Sequence, residues 1–399
     1  MKVGTQRTVD RVVGATLCRF LTLFSWRYVC VPSGFRPRRI LVIVLSEMGS
    51  LVLAKPMFDL IRKRYPEASV HLLVFERNKE ILEILRLVPE RDILTVSDRS
   101  FRDFVLSNVR LFFRFRRLKI DTVLDCELFS RISSLYSLAS GAVVRAGFHP
   151  HTQEGLFRGG FINRPVLYNP HLHMSHQFQA LVESLEAEGV PLVKRAFPSN
   201  LPRVGPSALD PREVESFCGE LHRDFPQLEN RKLVLVHPGG GLLPIRAWPL
   251  AYYCEVAGAL VQEGFAVGVI GKSEDGRLAQ AIAAHSGSKL CLDLTGYTKR
   301  VSDLVLLFHR ASLLITNDGG PGHFAALTPV PSIVFYGPET PLLYGSLSPH
   351  AHFFSSSLTC SPCLSAFNHR KSPCDGNNEC LKAIPPGKVL EKAHELLRD

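Results

Sequence analysis

The chain has 399 residues, enough for two domains of ordinary size, and its 46% hydrophobic and 21% charged composition is that of a soluble globular protein. The net charge of +10 points to an anionic partner or surface. No helix-turn-helix, RRM or zinc-finger pattern appears, so nucleic acid is not the expected partner.

Residues 1–36 come first. Between Arg11 and Arg27, aliphatic and aromatic residues interleave with arginines. Arg19 interrupts the apolar run, which therefore lacks the continuous core of a secretory signal and the ~20 apolar residues of a spanning helix. A basic amphipathic helix is expected, lying in a membrane interface or on the protein's own surface. Without an export signal the expected compartment is the reducing cytoplasm.

From residue 37 the pattern alternates. Strands are predicted at Ile40–Leu45, Val70–Phe75, Ile93–Val96, Thr122–Cys126 and Val143–Phe148, with helices at about Leu51–Arg64, Lys79–Leu87, Phe101–Leu118 and Leu128–Ser140. Such alternation implies a parallel sheet covered on both faces. The helix at 101–118 runs into Arg110-Leu111-Phe112-Phe113-Arg114-Phe115-Arg116-Arg117-Leu118-Lys119, which sets five cations among aromatics. It suits anionic headgroups or a phosphorylated glycolipid; the competing reading is a solvated helix packed by its phenylalanines.

A proline- and glycine-rich stretch from Glu188 to Pro206 reads as a linker, placing the first domain at 37–205 and the second at 206–399. Beyond it the alternation resumes, with strands at Leu233–His237, Ala266–Gly271, Leu313–Thr316 and Ser332–Tyr336. Three of them end in turns that carry chemistry. The first runs into His237-Pro238-Gly239-Gly240-Gly241 and then Arg246-Ala247-Trp248-Pro249. The second opens into Asn317-Asp318-Gly319-Gly320-Pro321-Gly322-His323, and the third into Gly337-Pro338-Glu339-Thr340. Glycines admit close approach of backbone to ligand, and amides at a helix start bind anions, which is how an α/β protein holds a diphosphate at the carboxyl edge of its sheet.

These three blocks resemble glycosyltransferase family 9, the bacterial lipopolysaccharide heptosyltransferases. The opening Ile40-Leu41-Val42-Ile43-Val44-Leu45-Ser46-Glu47-Met48-Gly49-Ser50 with Lys55-Pro56, the Arg145-Ala146-Gly147-Phe148 block and the tail from Cys360 match too, over roughly residues 38–395. The resemblance implies an α/β chain of the GT-B fold, two Rossmann-like doubly wound domains facing across a cleft, with the closing helix returning toward the first. It implies an inverting transfer of heptose or a related sugar from a nucleotide-diphosphate donor, ADP-heptose, to a lipopolysaccharide core-type glycolipid. No metal enters that chemistry, and the enzyme is expected as a peripheral protein on the cytoplasmic face of the membrane.

Site residues follow by position. Arg246 sits where the family has a basic residue at the diphosphate, a role that suits a guanidinium fork. Asp318 and His323 match donor-site positions, with Gly319, Gly320 and Gly322 as the phosphate cradle. Glu274, after the strand ending at Gly271, is placed to bind a ribose hydroxyl pair. On the acceptor loop, the family's aspartate after the Met-Gly pair is the proposed base, and here Gly49 is followed by Ser50. A hydroxyl cannot act as a carboxylate base, so Glu47 is the candidate and Asp125 the reserve.

Six of the ten cysteines are scattered, while Cys360, Cys363, Cys374 and Cys380 cluster. The four are candidate ligands for a structural zinc, with reduced loop thiols as the competing reading. Two other functions stay open. Ser50 supports a binding or scaffold subunit that has lost catalysis, and a GT-B nucleotide-sugar epimerase would need no lipid acceptor.

Overall fold

The computed structural model describes residues 8–24, 31–32, 34–45, 47–128, 130–148, 157–207, 209–241, 243–366 and 371–398. The chain divides into two units, Met1–Pro202 and Arg203–Asp399. The break falls within the proline-rich linker read from the sequence, three residues before the expected boundary at 205.

A π-helical turn at Asp10–Gly14 runs directly into α1 (Ala15–Thr22). The first unit then builds β1 (Arg39–Ile43), α2 (Met48–Arg64), β2 (Ser69–Phe75), α3 (Lys79–Leu85), β3 (Ile93–Val96), α4 (Phe101–Leu118), β4 (Thr122–Asp125), α5 (Arg131–Ala139), β5 (Val144–Phe148), β6 (Arg164–Val166) and α6 (Met174–Glu183). Its six strands are all parallel, in the order β3-β2-β1-β4-β5-β6. On one face α4 supplies Leu111 and Phe115, and α5 supplies Tyr136, to a shared core against β1 to β4. Continuous apolar runs such as 40–43 and 122–124 form central strands because helices seal both faces.

The second unit repeats the plan with α7 (Pro211–Asp224), β7 (Leu233–His237), α8 (Leu250–Gln262), β8 (Ala266–Val269), α9 (Gly276–Ser286), β9 (Cys291–Asp293), α10 (Val301–Arg310), β10 (Leu313–Asn317), α11 (Gly320–Phe324), β11 (Ser332–Tyr336), α12 (Pro341–Tyr344), β12 (Ala351–Ser355), α13 (Glu379–Lys382) and α14 (Pro386–Arg398). Its parallel order is β12-β11-β10-β7-β8-β9. Read from the first strand of each unit, both sheets have the doubly wound Rossmann order.

The closing helix α14 buries Val389, Ala393 and Leu397 in the core of the second unit. That face repeats every four residues and finds its partner on α8 and β10, so the second unit is closed by its own tail.

The N-terminal segment is latched to the first unit; its residues 1–7, 25–30 and 33 lie outside the described residues. The Asp10 carboxylate accepts from the N–H groups of Arg131 at 2.8 Å and Ile132 at 3.0 Å, capping α5 from another helix. Gly14 lets the backbones meet there, since a Cβ would lie 3.0 Å from the Arg131 Cβ. Cys18 is fully buried, and the Thr22 hydroxyl accepts from the Gly160 N–H at 2.8 Å. Among the described residues no helix is long and apolar enough to cross a membrane.

Candidate functional site

In the second unit β7 starts the sheet, with β8 and β9 added on one side and β10 to β12 on the other. The carboxyl ends of β7 and β10 therefore flank the point where the strand order reverses, the place where open α/β sheets bind ligands. Asn317, the last residue of β10, organises it. Its Oδ1 accepts from the Trp248 N–H at 2.8 Å and the Tyr253 hydroxyl at 3.1 Å. Its Nδ2 donates to the carbonyls of His237, Pro238 and Gly239 at 3.3, 3.1 and 3.1 Å. One amide thus ties the glycine turn after β7 to the segment that carries Arg246. Gly240 is required in that turn, because a Cβ there would stand 2.8 Å from the Leu243 carbonyl oxygen.

Arg246 ends a short 3₁₀ turn at Pro244–Arg246 and is buried. Its Nη2 donates to Glu339 Oε1 at 2.8 Å, and its Nε lies 3.4 Å from Asp318 Oδ2. Both carboxylates are buried as well. The structure thus joins two residues predicted for this site, Arg246 and Asp318, and adds Glu339, which sequence reasoning missed. Glu339 follows the Gly337-Pro338 turn after β11, and an acid just past a strand end at the switch-point edge was the available signal. The cluster carries one cation against two carboxylates, so its acidic members are suited to sugar hydroxyls and its guanidinium to phosphate.

The neighbours differ in placement. His323 is buried on the first turns after β10, next to Gly322. Glu274 is exposed, 3.8 Å from the Lys272 Nζ. Its neighbour Asp275 turns inward instead, accepting from the Lys272 N–H at 2.8 Å and lying near Gly239. Trp248 is structural. It stacks on Phe335 at 4.4 Å, and its Nε1 donates to the Ile384 carbonyl at 3.0 Å.

His237 sits beside this turn with Nδ1 at 3.2 Å from the Thr316 hydroxyl, and burial pushes its pKa down to about 4. In the unfolded chain a histidine titrates near 6.5. Between those values the unfolded state takes up a proton that the folded state refuses. The contribution is therefore whole above about pH 6.5 and is lost as pH falls toward 4. We expect urea stability of the second unit to drop by up to about 3 kcal/mol across that window. His237→Gln should flatten the dependence, and an unchanged pH profile in that variant would contradict the assignment.

In the first unit the corresponding reversal lies between β1 and β4. Glu47 is the N-cap residue of α2 and is partly buried; Ser50 follows inside the first turn and donates its N–H to the Glu47 carbonyl at 3.0 Å. Ser46 lies outside the described residues. The loop is held from both sides at Leu45. Glu127 Oε1 accepts from the Leu45 N–H at 2.7 Å, and Asn78 Nδ2 donates to the Leu45 carbonyl at 3.1 Å. Glu127, two residues past the buried end of β4, was also missed from sequence.

Asp125, the reserve base, is fully buried and internally engaged. It accepts from the Glu127 N–H at 3.1 Å and from the Ser133 hydroxyl at 3.1 Å, and it pairs with the buried guanidinium of Arg158. Burial pushes its carboxyl up to about 6, with Arg158 acting in the opposite sense. A carboxylate sealed this way cannot meet a substrate hydroxyl, and its role is to anchor the Arg158 segment to the sheet.

Of the four clustered cysteines, Cys360, Cys363 and Cys380 gather near the Gly337-Pro338 turn, where the Cys363 N–H donates to the Pro338 carbonyl at 3.0 Å. Cys374 is exposed, Cys380 is buried next to Gly337, and the Ser372 hydroxyl donates to the Cys363 thiol at 3.0 Å. Among the described residues no three His, Cys, Asp or Glu side chains are placed to hold a metal ion.

Comparison with known proteins bears on both sites. The profile of glycosyltransferase family 9 (heptosyltransferase) matches residues 115–372, well over half the chain. The lipopolysaccharide heptosyltransferase 2 of Salmonella typhimurium is 24% identical over 375 residues, covering 90% of this chain and 99% of that one. Among solved structures, Escherichia coli ADP-heptose lipopolysaccharide heptosyltransferase II superposes with a TM-score of 0.67 at 22% identity, over 90% of this chain and 98% of that one. A family 9 glycosyltransferase from Veillonella parvula gives 0.69 at 21% identity, over 90% and 97%. At those identities the likeness shows the fold, which is GT-B.

Proposed function

This chain belongs to glycosyltransferase family 9, and on that premise we propose that it transfers heptose with inversion from ADP-heptose to a lipopolysaccharide core-type glycolipid at the cytoplasmic membrane face. The observation that carries the reading is the buried Arg246–Asp318–Glu339 cluster at the reversal point of the second sheet, inside the matched segment. A nucleotide-diphosphate sugar offers that cluster a dianionic leaving group beside a ring of hydroxyls.

In the reaction, the acceptor oxygen attacks the anomeric carbon from the face opposite the diphosphate. The new C–O bond forms as the bond to the diphosphate breaks, which inverts the centre. Arg246 and the amides of Gly319, Gly320 and Gly322 take up the charge gathering on the diphosphate. Asp318 and Glu339 hold that guanidinium in place and accept from sugar hydroxyls, with His323 donating beside them. On the first unit Glu47 removes the acceptor proton, and Glu127 with Asn78 fixes the loop that presents it. No metal is assigned to a step.

The test is turnover of ADP-heptose with and without a heptose-deficient core glycolipid. The expected result is ADP release matched by a mass gain of one heptose on the glycolipid, with inverted anomeric configuration by NMR. Conversion of the nucleotide sugar without glycolipid would make the protein an epimerase. No consumption with any acceptor would favour the scaffold reading.

A further inference from the structure

The latched N-terminal helix leaves a second face uncovered. Val9, Val12, Val13, Leu17, Phe20 and Leu23 are between 42% and 72% exposed, an apolar stripe at helical spacing on the side away from Gly14 and Cys18. Arg11 and Arg19 are exposed on the same segment, while its acid, Asp10, is turned inward onto α5. A soluble surface rarely carries such a run without something to cover it.

The helix α4 repeats the arrangement. Phe101, Val105, Val109, Phe112 and Phe113 are exposed, with Phe113 at 68%. Arg102, Arg110, Arg116, Arg117 and the following Lys119 are exposed around them. Its one acid, Asp103, is occupied at the helix start, where it accepts from the Ser100 hydroxyl at 2.6 Å. Both helices belong to the same unit: α4 and α5 share one face of the first sheet and touch through Asn108 and Tyr136, and the N-terminal segment meets α5 at its first turn.

We propose that the uncovered faces of α1 and α4, both on the first unit, are docking surfaces for an anionic lipid bilayer. Apolar side chains enter the acyl boundary while arginines meet headgroup phosphates, a combination that matches an interfacial helix pair. Charge argues against a second copy of this chain as occupant, because the facing surfaces would bring arginines together. The Asp10 latch gives the device its purpose: it fixes α1 to the unit that carries the acceptor loop. The proposal rests on reading the acceptor as a membrane glycolipid, and its test separates the two.

The experiment is co-sedimentation of the full chain with vesicles of phosphatidylcholine alone or mixed with phosphatidylglycerol. Binding is expected to the mixed vesicles and to weaken with salt, because exposed charges are screened over about 8–10 Å at physiological ionic strength. Arg110→Ala and Arg117→Ala should each lower partitioning by about five-fold. Phe20→Ser and Leu23→Ser should lower it by about ten-fold or more each, with circular dichroism unchanged. All four variants should keep full turnover on a water-soluble, deacylated acceptor and lose it on acceptor embedded in vesicles. Wild-type protein that ignores both vesicles, or variants that partition like wild type, would overturn the surface. So would a wild-type dimer that the same substitutions dissociate without any vesicle binding. Normal vesicle binding with no turnover on any acceptor would instead defeat the proposed function and leave this surface standing.

Discussion

Replacing Arg246 with alanine should destabilise the second unit by about 3–5 kcal/mol and, in whatever fraction remains folded, slow sugar transfer by one or two decades. The first effect follows from burial. Arg246, Asp318 and Glu339 are 7%, 6% and 3% exposed, and removing the cation strands two carboxylates away from water. Breaking a buried charge cluster by deleting one partner carries a penalty of about that size. The second effect is the loss of a charged hydrogen bond to the diphosphate, on the order of 1.5–3 kcal/mol. Arg246→Lys separates them. A lysine keeps the charge and much of the stability, but it cannot serve Asp318, Glu339 and phosphate from one planar fork. Urea unfolding and donor titration on both variants provide the check. If the alanine variant keeps both its urea midpoint and its donor affinity, the cluster is neither a structural core nor a donor clamp.

What the sequence made legible was local. Strands such as 40–43, 233–236 and 332–336 are continuous apolar runs bounded by turn residues, and they appear where expected. Three of the four edge strands escaped notice for physical reasons. β6 and β9 are three residues each, β6 contains Pro165, and β12 is half exposed, so none shows a run long enough to read. The site divides the same way. Arg246, Asp318 and His323 were singled out because they match the family's motif positions, beside glycine turns that mark a ligand edge. Glu127 and Asn317 could not, because their meaning lies in register: Glu127 reaches Leu45 across 82 residues, and Asn317 holds carbonyls up to 80 residues away. Asp125 looked available for the converse reason. Its partner Arg158 lies on a segment beyond the next strand, and nothing in the local pattern shows that it folds back.

The grip of Glu127 and Asn78 on Leu45 also narrows the choice of catalytic base. A base must be ionised at working pH and within reach of the acceptor hydroxyl. Ser50 fails the first condition and the sealed Asp125 fails the second. Glu47 stands at the start of α2, on the loop that Glu127 and Asn78 grip at Leu45, and it is partly open to solvent. Glu47→Gln preserves shape but cannot take the proton as a carboxylate does, and should lower the transfer rate by about 10²–10⁴-fold, the usual worth of general-base catalysis. Donor affinity should hardly move, because the donor cluster belongs to the second unit. Ser50→Ala should be mild. The sharper test uses the position where family members carry their aspartate: adding Ser50→Asp to the Glu47→Gln variant should restore part of the lost rate, since it returns a carboxylate to the same turn three residues on. Full activity in Glu47→Gln would move suspicion to Glu127, the other carboxylate at that loop. Loss in Glu47→Gln without rescue by Ser50→Asp would mean that Glu47 shapes the loop and does not carry the proton.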